Sequence, residues 1–214
     1  MKIHDISLTI TPKIPVWPGD TNVWLERVER IENGDMDNLS QMKMGVHTGT
    51  HIDAPYHFVQ EGIKVDALSL DTLVGACQVI QVGEEIEKIT ASVISGTNIS
   101  PEIPRVLFKT RNSGLWLRSE YEFDRDFVGI SEDGASALVD LGMQLVGIDY
   151  LSVAPFDSSK PVHDILLEAG MILLEGADLS KITPGIYTLI CLPIKLGETE
   201  GAPARAILIE DWKP

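Results

Sequence analysis

The 214-residue sequence is short of positive charge: 17 Lys and Arg stand against 32 Asp and Glu, a formal net charge of −15. That shortage argues against a nucleic-acid partner, because duplex binding draws on clustered cations that neutralise phosphates. An anionic membrane surface is disfavoured for the same reason. Long apolar runs are missing as well. None approaches the roughly 18 residues needed to span a bilayer, and Met1-Lys2-Ile3-His4-Asp5 turns polar at once, without a signal-peptide core. The expectation is a cytoplasmic protein with no membrane partner. Cysteine is scarce: Cys77 and Cys191 each sit in an apolar, strand-like segment, where a buried free thiol is the expected state in a reducing compartment. No Ser/Gly-rich linker, internal repeat or low-complexity stretch divides the chain, so residues 1–214 read as one domain. With 44% hydrophobic and 23% charged residues, disorder is excluded.

What is present is a succession of short β-like runs with turn chemistry between them. Strands are expected near residues 3–10, 23–31, 41–46, 77–82, 105–109, 145–149, 171–174, 185–192 and 204–210, too many for a helical bundle. The second of these mixes apolar residues with charge, as a half-exposed antiparallel strand does. Helices are fewer. Ser131 is placed as the N-cap of a helix through Leu141 that Gly142 stops, with Glu132 and Asp133 favoured in its first turn. Pro161 is placed at the start of a second helix that ends at Gly170, and a third is expected near residues 90–94. The fold class is therefore α/β, strand-rich with a few helices.

Histidine is also sparse, yet three of the five fall within eleven positions, His47, His51 and His57, with Asp53 among them in the pattern H-x3-H-x-D-x3-H. Gly49, the β-branched Thr48, Thr50 and Ile52, and Pro55 all disfavour a helix there. An extended segment would turn positions 47, 51, 53 and 57 to one face. A straight strand would still hold His47 and His51 about 13 Å apart at Cα, too far for comfortable sharing of one ion, so the backbone must bend, and Gly49 can supply the bend. Imidazoles joined by a carboxylate suit a divalent ion such as zinc or manganese. A closed structural zinc site is the plainer metal reading, although such sites more often use cysteine.

Other candidates carry less on their own. His163 follows Pro161 and spacing alone favours a surface or capping role. Glu175 closes the apolar run 171–174 and precedes Gly176, equally a site carboxylate or a solvated strand end. Trp17 opens the turn Trp17-Pro18-Gly19-Asp20, where packing on its own domain is the plainer reading. Asp149 ends a strand and could orient a ligand histidine from behind.

These motifs together resemble the cyclase-family metal-dependent hydrolases, which include bacterial kynurenine formamidase (arylformamidase) and isatin hydrolase. The segment His47-Thr48-Gly49-Thr50-His51-Ile52-Asp53-Ala54-Pro55-Tyr56-His57 is similar to the family's H-x-G-T-H-x-D-x-P-x-H signature. Trp17-Pro18-Gly19-Asp20, Leu145-Val146-Gly147-Ile148-Asp149 and the stretch from His163 to Glu175 follow in family order. The resemblance implies a swivelling β/β/α fold, in homodimers or homotetramers. It also implies two divalent ions per subunit, zinc or alternatively manganese: His47, His51 and Asp53 on one, Asp53 bridging to a second completed by His163 and Glu175, with Glu175 also touching the first. His57 would then be the catalytic proton-transfer residue and Trp17 a substrate contact. The implied activity is hydrolysis of a small-molecule amide C–N bond, as in an aryl formamide. The formamidase branch carries an acid just before Pro155, where this chain has Ala154, and Tyr150-Leu151 also departs from that branch. Amide-bond hydrolysis is thus better supported than any named substrate; a lactam- or lactone-opening hydrolase using the same residues is the alternative, and a non-catalytic metal-stabilised module the rival from another class.

Overall fold

In the computed structural model, which describes residues 1–118 and 122–211, twelve strands and four α-helices follow one another along the chain. The strands are β1 (Lys2–Asp5), β2 (Trp24–Glu29), β3 (Leu39–Lys43), β4 (His51–Asp53), β5 (Val74–Gln81), β6 (Lys88–Ile89), β7 (Arg105–Lys109), β8 (Gly129–Ile130), β9 (Leu145–Ile148), β10 (Ile172–Glu175), β11 (Gly185–Pro193) and β12 (Gly201–Glu210). The helices are α1 (Leu70–Leu73), α2 (Ala91–Ser95), α3 (Glu132–Asp140) and α4 (Ser159–Glu168).

The main sheet runs β1-β12-β11-β5-β7-β9-β10-β4, and β4 pairs back onto β12. Seven strands thereby close into a barrel-like ring, with β1 lying outside it on β12. Strands β5, β7, β9 and β10 are mutually parallel, whereas β4 is antiparallel to both of its neighbours. The α/β, strand-rich expectation holds.

Period-two alternation along the parallel strands divides the core. Leu107, Leu145 and Leu174 point into the barrel with Ile52, Cys77, Cys191, Ala202 and Leu208. Val106, Phe108, Val146, Ile148 and Leu173 point outward, where Ile94 of α2, Ala135 and Leu138 of α3, and Val162 and Leu166 of α4 cover them. Strands packed on both faces are apolar at successive positions, as in Val106-Leu107-Phe108 of β7 and Leu145–Ile148 of β9. Cys77 and Cys191 are buried free thiols, as expected.

Several boundaries move. Strand β2 pairs with β3, as an antiparallel strand should, but nearly all of it is exposed rather than half. Pro161 is the third residue of α4, which begins at Ser159. Ser131 sits at the N-cap of α3 without capping it: its hydroxyl donates to Ile89 O and to Asp133. Thr90 does cap α2, accepting Val93 N–H at 3.3 Å. Among the described residues no helix is long and apolar enough to cross a membrane.

Candidate metal centre

Strand β4 carries His51 and Asp53 between two neighbours, Glu175 of β10 opposite His51 and Gly201 of β12 opposite Asp53. The expectation that one extended strand aligns 47, 51, 53 and 57 is corrected here. Only residues 51–53 are strand; His47 lies in a turn before it and His57 closes the 3-10 turn Pro55–His57 after it. Curvature at both ends, and not strand parity, brings the four side chains together. Gly49 makes the first bend with φ +67, as expected. Gly176, φ +68, faces it so closely that an added Cβ would stand 2.2 Å from Gly49 O. Thr50 pins the bend, its hydroxyl donating to Gly176 O at 2.6 Å and accepting Leu8 N–H at 2.8 Å.

All five expected ligands converge, with His57 beside them. His47 Nδ1 lies 2.8 Å from Asp53 Oδ1. His51 Nε2 lies 3.4 Å from Asp53 Oδ1 and 3.3 Å from Glu175 Oε2. His163, buried rather than on the surface, places Nε2 3.4 Å from Glu175 Oε1 and 3.9 Å from Asp53 Oδ2. Donor atoms within 4.8 Å of one another form two groups that share Asp53: His47, Asp53 and His57, and His51, Asp53 and Glu175. His57 stacks on His47 with ring centroids 4.1 Å apart and makes no hydrogen bond through its ring among the described residues.

Charge decides what this arrangement can hold. His51 Nδ1 meets Gly49 O at 2.9 Å and His163 Nδ1 meets Ser159 O at 2.7 Å. A carbonyl only accepts, so both Nδ1 atoms carry protons, and a neutral ring then aims its Nε2 lone pair at carboxylate oxygens. That repulsion is removed by a cation between them or by a second proton. Without an ion the second proton is the outcome: burial opposes charge on His51, but Asp53 and Glu175 outweigh it and lift its pKa to about 10. His47 and His163 are raised by the same carboxylates against burial. Asp53 and Glu175 are held low in spite of burial, Asp53 well below the usual range, by the imidazoles around them. Asp53 Oδ2 is buried without a hydrogen-bond partner among the described residues. Donors of zinc and manganese type, an orphaned carboxylate oxygen and clustered lone pairs fit a divalent ion. His57 differs: burial is the main influence and lowers its pKa.

The centre opens into a cavity of about 240 Å³ whose walls include Trp17, Asp20, Phe58, Leu151 and Ser159. Trp17 lines this cavity while packing on its own domain, against Phe123 and Phe156 at 5.2 Å between ring centroids and Phe127 at 6.3 Å. Asp149 does not orient a ligand histidine. Its carboxylate accepts the backbone N–H and hydroxyl of both Thr110 and Ser113, tying down the turn after β7. Sequence reasoning missed Glu200, 3.5 Å from His47 Nε2, because the chain between them leaves no periodic signal.

A barrel-like α/β sheet thus bears a buried histidine–carboxylate centre at the mouth of a cavity, an arrangement suited to metal-assisted hydrolysis. The chain belongs to the Cyclase family, whose description is "Putative cyclase" and whose model matches residues 4–155. It is 43% identical over 219 residues to "Cyclase-like protein 3" of Oryza sativa subsp. japonica, covering 98% of this chain and 80% of that protein. It is 40% identical over 210 residues to "Kynurenine formamidase" of Salinibacter ruber, with 97% of each covered. A solved "Potential Metal-Dependent Hydrolase With Cyclase Activity" superposes with a TM-score of 0.84 at 34% identity, covering 100% of this chain and 99% of that one. Isatin hydrolase A from Labrenzia aggregata shares the fold, with a TM-score of 0.79 at 22% identity over 97% of this chain and 93% of that one.

Proposed function

We propose that this protein is a metal-dependent amidohydrolase that cleaves the C–N bond of a small aryl formamide, in the manner of a kynurenine formamidase. The observation that carries this reading is the convergence of His47, His51, Asp53, His163 and Glu175, with His57, itself within reach of His47 and Asp53, at the cavity beside them. His47, His51 and Asp53 would hold one ion, and Asp53, His163 and Glu175 a second, zinc or alternatively manganese. Bound divalent ions supply Lewis acidity and make water acidic enough to attack near neutral pH.

The protein's own side chains do the rest. Burial lowers the pKa of His57 and its ring makes no hydrogen bond among the described residues, so the ring takes the proton of the attacking water and returns it to the leaving nitrogen. Trp17 and Phe58 give the cavity aromatic walls against which a planar aryl group stacks. Asp53 and Glu175 would offset two of the four charges that two divalent ions would bring, which would leave a positive field suited to a developing oxyanion. Nearly complete mutual coverage with the Salinibacter formamidase supports the amide substrate. The second reading, a lactam- or lactone-opening hydrolase, uses the same residues, and isatin hydrolase A shares the fold.

Metal analysis followed by turnover of N-formylkynurenine, isatin and simple lactones tests both. Preference for the formamide supports the first reading and preference for a ring substrate replaces it. Bound metal with no hydrolysis of any of them would instead mean a non-catalytic module.

Assembly as a cytoplasmic homodimer or homotetramer belongs to the same proposal. Trp24, Leu25, Val28, Ile31, Met36, Leu39 and Met42 are all exposed on or beside the β2–β3 hairpin, more apolar surface than a ribbon in water ordinarily carries. A second copy of the chain is the partner that would cover it.

A further inference from the structure

The centre's histidines are held from behind in two different ways. His51 and His163 give their outward Nδ1 protons to backbone carbonyls, those of Gly49 and Ser159. His47 is reversed: Nδ1 faces Asp53, and the outward Nε2 is buried without a hydrogen bond among the described residues. The nearest charged group to that nitrogen is the carboxylate of Glu200, with Oε1 at 3.5 Å.

Glu200 is not a passing surface acid. Its carbonyl accepts Ala54 N–H at 2.8 Å, and the next residue, Gly201, pairs with Asp53. The backbone that carries the acid is therefore locked to the strand that carries the ligands. Gly201 also makes room for the ring, since a Cβ there would lie 2.7 Å from His47 Cε1. The Glu200 side chain is 39% exposed, so it turns freely about its own bonds, and a small rotation closes 3.5 Å to hydrogen-bond range.

We infer that Glu200 is a positioning residue for the metal centre, taking the Nε2 proton of His47 so that Nδ1 stays turned toward Asp53, with Gly201 as the seat for the ring. This rests on the reading of His47 as a metal ligand. A carboxylate behind a ligand imidazole fixes its tautomer and makes the facing nitrogen a stronger donor, and removing such a partner costs about 10–100-fold in metal affinity. His47 alone among the three depends on a side chain that substitution can delete without touching the core.

The test titrates metal-free protein with zinc or manganese chloride against a chelating dye, alongside thermal unfolding of the metal-free form. Glu200→Ala is expected to weaken one bound equivalent about 10–100-fold, and Glu200→Gln, which keeps a neutral acceptor, to weaken it less. Glu198→Gln, a charge-matched change on the same loop, is expected to bind as the unsubstituted protein does. Metal-free unfolding of Glu200→Ala should be unchanged. Unaltered affinity for every equivalent in Glu200→Ala overturns the inference, as does weakened binding matched by an equal loss of metal-free stability. Should the unsubstituted protein take up no metal at all, the metal-centre reading itself falls and takes this inference with it.

Discussion

Strand β4 is bonded on both sides, by β10 and by β12, and every one of its residues is buried; β3 has β2 as its single partner, and every one of its residues is exposed. The first arrangement encloses charge and the second displays apolar surface, the reverse of ordinary burial. Enclosed charge persists only where each group compensates another, as Asp53, Glu175 and the imidazoles do. Displayed apolar surface persists only where something covers it in use. On the proposed reading each region has a different partner, an ion for the enclosed charge and a second copy of the chain for the displayed apolar surface.

The largest expected effect comes from breaking the enclosed region at its shared group. Asp53→Asn should abolish bound metal and lower hydrolysis by about a thousandfold or more, several kcal/mol of lost charge stabilisation, measured by elemental analysis and turnover. His57→Ala should retain the metal and cost about 10²–10⁴-fold in turnover. Loss of metal in that variant would move His57 into the ligand set alongside His47 and Asp53.

A third measurement asks how far the enclosed region extends. Burial lifts the Asp149 carboxyl to about 6 against the pull of the Ser113 and Thr110 donors, above its unfolded value of about 3.9. The folded chain then binds this proton more tightly than the unfolded chain. Asp149 therefore adds stability as pH falls through 6 toward 4, and that gain is absent well above 6. Urea unfolding at pH 7 and pH 5 should show the native protein gaining about 1 kcal/mol on Asp149→Asn at the lower pH. An unchanged difference would mean that Asp149 stays ionised throughout.

The smallest expected change in stability tests the displayed region. Leu25 and Met42 face each other across the hairpin. Replacing both by Ser should alter the unfolding free energy of the isolated chain by no more than about 0.5 kcal/mol, yet shift sedimentation to a smaller species. An unshifted species would leave the hairpin without an assembly role.

The sequence shows these regions unequally. The composition of the site is legible, since histidines with one carboxylate in so short a span have few packing explanations. Its geometry is not, because convergence depends on the bend at Gly49, the 3-10 turn at Pro55–His57 and pairing with Glu175 and Gly201. Strand β4, three residues long, is too short for a period to register. The outer strands are legible as alternation or apolar runs, and β7 matches its expected span to the residue. Asp149 was placed correctly at a strand end, but which neighbour a buried acid meets is decided by tertiary contact.

One consequence lies in the order of assembly. Ring closure brings residues 201–203 of β12 onto residues 51–53 of β4, with residues 173–175 of β10 on the other side. Contacts between such distant stretches form late, because loop closure costs entropy before the pairing repays it. On a ribosome, a chain that has already exposed His47, His51 and Asp53 still lacks His163, Glu175 and the flanking strands, so it offers an ion only a partial, mobile set of donors. On the proposed metal reading, tight capture would wait for the C-terminal strands, and ion uptake would report that the fold is finished.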